Sequence, residues 1–168
     1  MKLQKIDKAR YRKHLNIVIA AIISSLMVLG ISMGQILIAL LSDGVGSNFG
    51  YNLGGVIIAA AICLKAIHSV RHHDFMAEVY YVWQLKQSLN AIYRKLEKIK
   101  LARDEDNINA IITLNYYYTG SEQLLLLDDN TITMDSLNKQ KAELQSIIDN
   151  KNLQINTDDY TPKLLKGF

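Results

Sequence analysis

Two apolar runs dominate the first half of the chain. From Leu15 to Leu41 there is no charged residue. That stretch exceeds the roughly 20 residues a helix needs to cross a bilayer. A second run, centred on Leu53–Leu64, is closed by Lys65 and His68. A lysine so near a helix end can lead its ammonium to the headgroups. Between the runs lies SDGVGSNFG, a short polar turn. The pattern then changes. Val82, Leu85, Leu89, Ile92, Leu96 and Ile99 recur at spacings of three and four, the stripe of a helix with one buried face. No Gly or Pro occurs from Val56 to Thr119, so the second run is expected to continue as a helix to about Lys100, either unbroken or with a kink near His72. Arg103–Asp106 (RDED) reads as a break and restart, with acids suited to a helix N-terminus. Ile108, Ile111, Ile112 and Leu114 begin the next helix, which Gly120 and Ser121 are expected to interrupt. Leu137, Leu144, Ile147 and Ile148 stripe another, from about Met134 to Asn150, with Thr133 or Asp135 as its cap. After Asn150 periodicity is lost, and Pro162 bars a helix interior there.

The fold class expected is all-α: a two-helix transmembrane hairpin continuing into a small cytoplasmic three-helix domain. The expected divisions are a basic arm (1–14), a first span (15–41), an external turn (42–50), a second span (51–70), a cytoplasmic helical domain (71–150) and a tail (151–168).

Charge orients this arrangement. The arm carries Lys2, Lys5, Lys8, Arg10, Arg12 and Lys13 against Asp7, while the turn carries only Asp43. The positive-inside rule therefore places both termini in the cytoplasm. From Arg71 onward 12 of the 19 Lys+Arg face 14 of the 16 Asp+Glu, so the basic excess is confined to the arm. That distribution argues against nucleic-acid binding, which needs a basic face on a folded module. It suits anionic headgroups, with Lys8, Arg10, Arg12, Lys13, Lys65 and Arg71 as the contacts. A cleaved signal peptide is the rival reading of the first run. Its apolar core is too long for one, and no good A-x-A site follows. Cys63 is the only cysteine, which excludes an intrachain disulfide.

Small residues four apart let helix backbones approach closely. Gly30 and Gly34 offer such a row in the first span, Gly50 and Gly54 continue it into the second, and Gly55 with Ala59 adds a parallel row. The rows fit a hairpin packed on itself, or a homo-oligomer.

Chemistry is sparse. There is no P-loop, GxSxG, GxGxxG, HExxH or CxxC pattern, so no enzymatic activity and no cofactor is expected. His68 and His72, four apart on one helix face, are the candidate metal ligands. His14, at the same membrane surface, extends the alternative to a haem between it and His68. KIDKARYRKHLN (Lys5–Asn16), the long first span, the glycine-rich turn, the second span and HHDF (His72–Phe75) together resemble a family of small bacterial inner-membrane proteins with no assigned function. The resemblance implies a helical protein of the bacterial cytoplasmic membrane and carries no catalytic or binding residue. The function expected is that of a non-catalytic, membrane-tethered interaction or scaffold protein, whose partners are the bilayer and a protein held by the cytoplasmic helices.

Overall fold

The computed structural model describes residues 2–130 and 132–168. Met1, at the head of the expected arm, and Thr131, within the expected helical region, lie outside the described residues. Among these the chain is all-helical, without strands. It forms two compact units. One is Ala9–Tyr80; the other takes the segment through Lys8 and Tyr81–Phe168.

The first unit is a hairpin of α1 (Lys8–Leu41) and α2 (Phe49–Val70). At 1.5 Å per residue, their 34 and 22 residues reach about 51 and 33 Å. Both are long and apolar enough to cross a bilayer, and little of either apolar stretch is buried. Their large aliphatic side chains, Ile23, Met27, Ile31 and Ile57 among them, point outward. The turn between them is built by local polar contacts. Ser42 Oγ accepts from the Gly44 N–H and Asp43 Oδ1 from the Val45 N–H. Gly44 and Gly46 adopt φ of 77° and 88°, which only glycine enters without strain. The Tyr51 hydroxyl donates to Leu41 O at 2.9 Å, satisfying one carbonyl left open at the end of α1.

The expected helix from the second span to Lys100 is instead broken into four pieces. α2 stops at Val70, a 3₁₀ turn covers Asp74–Met76, and α3 runs Ala77–Tyr93. The break is made by a cap rather than by Gly or Pro. His73 is extended (φ −72°, ψ 144°), and its Nδ1 accepts the Phe75 N–H at 3.2 Å. Asp74 and Glu78 then fall in first turns, where carboxylates suit the positive end of the helix dipole. A second bend at Arg94–Lys95 separates α3 from α4 (Leu96–Asp104). The region beyond the hairpin therefore contains α3, α4, α5 (Ile108–Leu127) and α6 (Met134–Asn150), one helix more than expected.

In the second unit, α5 is the central element. Ala110, Ile111, Leu114 and Tyr118 are essentially inaccessible, as are Leu85 and Ile92 of α3 and Ile99 of α4. Its N-cap is Asn107, whose side chain accepts from the Asn109 and Ala110 N–H groups. The RDED acids precede this cap instead of providing it, and Asp106 takes up the chain reversal with φ 64°. Gly120 does not interrupt α5. A Cβ there would lie 3.1 Å from Leu89 Cδ2 and 3.2 Å from Leu85 Cδ1, so the missing side chain lets α3 press against α5. α6 has the expected bounds, with Thr133 at its N-cap position but making no side-chain capping bond. The tail is held on α5: Tyr160 is buried and stacks on Tyr116, ring centroids 4.2 Å apart. Pro162 opens a short 3₁₀ turn to Gly167, where its missing N–H leaves no bond unmade.

Candidate functional site

The hairpin brings α1 and α2 into backbone contact. A Cβ on Gly55 would fall 2.3 Å from Gly34 N, 2.7 Å from Gly34 Cα and 2.9 Å from Gly30 O. Gly30, Gly34, Gly55 and Ala59 are all buried. Gly54 faces the Leu37 side chain instead, and nothing lies within 4 Å of a Cβ on Gly50. Toward Val70 an apolar cleft of about 450 Å³ lies between the helices, with Val18 and Ala21 on one wall and Cys63 and Ile67 on the other. His73, Phe75 and Met76 line one end.

Polar groups gather beside that end in two sets. In the first, Arg10 Nε contacts Glu78 Oε1 at 2.8 Å, and His14 Nδ1 lies 3.4 Å from Glu78 Oε2. His14 and Glu78 are mostly buried, and the His14 ring stacks on Phe75 at 4.1 Å. In the second, the Arg71 guanidinium donates from Nε to His72 Nε2 at 2.9 Å and contacts the His68 ring through Nη1. A guanidinium thus sits against both candidate metal-ligating rings, while His14 belongs to the other set. Among the described residues, no three His, Cys, Asp or Glu side chains come together as a metal-holding group. Of the remaining cations expected at headgroups, Arg12, Lys13 and Lys65 are exposed, whereas Lys8 is paired with Asp129.

The second unit carries a groove of about 510 Å³. Leu89 and Tyr93 of α3, Leu124 and Leu125 of α5 and Leu137 of α6 give it an apolar lining. Asn90, Lys100, Ser121, Ser136 and Gln140 add polar groups. Tyr93 is 65% exposed there. The helical stripes in the sequence include Leu89 and Leu137 but not Tyr93, and they do not show the gap.

Elsewhere in this unit, the chain's first residues are clamped by Tyr81 and Gln123. The Gln4 N–H donates to the Tyr81 hydroxyl at 2.8 Å, which donates to Gln123 Oε1 at 3.0 Å. Gln123 Nε2 in turn donates to Gln4 O. Burial raises the Tyr81 phenol above its usual range, and burial pushes that of Tyr116 up to about 12.

Fold and surfaces define an all-helical protein with a long apolar hairpin, a cleft in that hairpin and a separate grooved helical unit. Residues 1–165 match the family described as protein of unknown function, DUF3087, and the chain belongs to that family. No curated protein and no solved structure matches the chain.

Proposed function

We propose that this protein is a membrane-tethered interaction module of the bacterial cytoplasmic membrane. The hairpin crosses the bilayer, both termini face the cytoplasm, and the second unit holds a partner protein there without catalysing a reaction. The observation that carries this reading is the placement of apolar surface. α1 and α2 turn their aliphatic side chains outward over lengths sufficient to cross a hydrocarbon core. The second unit buries its own core yet keeps an apolar groove open. α3 and α4 wall the groove on one side and α6 on the other, with α5 between. Such a channel fits an amphipathic helix of the partner, whose polar flanks would meet Asn90, Lys100 and Gln140. The basic arm and the acidic-only turn support the orientation.

The test is site-specific photocrosslinking in native membranes, with the reactive group at Tyr93 in the groove and, for comparison, at Lys163. The proposal expects one discrete protein adduct from Tyr93, lost when Leu125→Glu places a charge in the groove. Identical adduct patterns from both positions, unchanged by Leu125→Glu, would refute it.

A further inference from the structure

The cleft lies between α1 and α2 on the Val70 side of the crossing where Gly30 and Gly34 meet Gly55, and His73 and Phe75 line its far end. On α1 it runs from Ile17 to Ser25, about 12 Å at 1.5 Å per residue. One leaflet's share of a 30 Å hydrocarbon core is about 15 Å. The cleft therefore has the depth of one leaflet. Between the two helices its walls are almost wholly aliphatic, with Ser25 and Cys63 carrying the only side-chain heteroatoms there, and His73, Phe75 and Met76 line one end.

The end lined by His73 is different in character. One turn beyond Ile17 on the same face of α1 is Lys13, which is exposed. The residue after Val70 is Arg71, of whose five N–H donors two groups are directed to His68 and His72. His73 lines the cleft and uses Nδ1 to accept from the Phe75 N–H, which puts the proton of the neutral ring on Nε2 as a donor. Two acids lie in this region. Glu78 is engaged by Arg10. Asp74, exposed, offsets one of the two cations, so the mouth stays positive.

An apolar slot about one leaflet deep, lined at one end by an imidazole and with Lys13 one turn before Ile17 and Arg71 next after Val70, has the chemistry of one ligand class. We propose that the cleft is a binding site for an anionic phospholipid, one acyl chain lying between α1 and α2 and the phosphate meeting Lys13, Arg71 and His73. This rests on the reading that the hairpin spans the membrane.

The experiment uses the purified, delipidated full-length protein in detergent, offered dioleoyl phosphatidylglycerol and dioleoyl phosphatidylcholine in equal amounts. Native mass spectrometry should show one phosphatidylglycerol retained in preference. Lys13→Gln or Arg71→Gln should each reduce that preference about fivefold, the effect of one basic residue at an anionic surface. Ala21→Trp, which fills the slot, should abolish retention. The unmutated chain gives an independent readout, because its single cysteine lines the slot. Phosphatidylglycerol should slow the reaction of Cys63 with N-ethylmaleimide more than phosphatidylcholine does. Equal retention of the two lipids, or equal Cys63 rates with both, overturns the site. Flotation of the same protein with vesicles of the two lipids separates the two failures. A protein that floats without discriminating refutes only the lipid site, and one that stays at the bottom of the gradient refutes the membrane reading itself.

Discussion

Replacing Gly55 with alanine adds one carbon atom where the structure has no room for it. The new Cβ would sit 2.3 Å from a backbone nitrogen of the facing helix, and contact becomes ordinary only from 3.4 Å. The atoms it meets belong to Gly30 and Gly34 backbone, so no side chain can swing away. α1 and α2 must separate by about 1 Å at their crossing, which forfeits dispersion contacts along both helices. Overpacking of this kind costs about 1–3 kcal/mol, and alanine returns up to about 1 kcal/mol through helix propensity. With the full return the net expectation is a loss of up to about 2 kcal/mol. Gly50→Ala is the matched control, since nothing lies within 4 Å of its Cβ and only the propensity gain remains. In a bilayer or micelle, close packing rather than hydrophobic burial holds such helices together, so the contrast should survive in detergent. Both variants can be compared by sodium dodecyl sulfate titration in mixed micelles, followed by circular dichroism and by a fluorescence pair placed across the hairpin. Equal midpoints for Gly55→Ala and Gly50→Ala would refute the crossing described here.

Further outcomes follow from the second unit. Tyr160→Ala removes a ring that is 3% exposed and stacked on Tyr116, and should lower stability by about 3 kcal/mol in chemical denaturation. Tyr81→Phe breaks both hydrogen bonds of its hydroxyl, at about 1 kcal/mol each, and should speed amide exchange at Gln4. Tyr116 has its pKa raised from 10.0 to about 12, chiefly by burial. The folded state thus favours the neutral phenol. This stabilisation is complete below pH 10 and is lost as pH rises toward about 12, so Tyr116→Phe should make alkaline unfolding less steep in a pH titration of the circular dichroism signal.

Much of the architecture was legible because it follows from periodicity. The two uncharged runs became α1 and α2, and the stripe through Leu137, Leu144 and Ile148 became α6 with its expected bounds. A kink near His72 was an open alternative, but the full break there, made without Gly or Pro, could not be read. The end of α2 depends on an extended His73 that caps Phe75, a use of histidine that leaves no pattern in composition. Gly120 shows the converse. As a residue type it suggests a break, yet its value is the space it gives Leu85 and Leu89, which only the packed structure reveals. The small-residue rows named the positions available for a close crossing. They could not distinguish Gly55, in contact with backbone, from Gly50, in contact with nothing, because that depends on the relative rotation of the helices. The cleft and groove were likewise invisible, since a gap is defined by how faces fail to meet and not by which residues form them.

Membrane topology is the claim on which the rest depends. The direct measurement is labelling of single cysteines by a membrane-impermeant maleimide in intact and lysed bacterial cells, on a Cys63→Ala background. Val45 in the turn is 82% exposed and Lys163 in the tail is exposed, so both can carry the probe. The account predicts that Val45→Cys is labelled in intact cells and that Lys163→Cys is labelled only after lysis. Labelling of Lys163→Cys in intact cells, or protection of both until lysis, would contradict it.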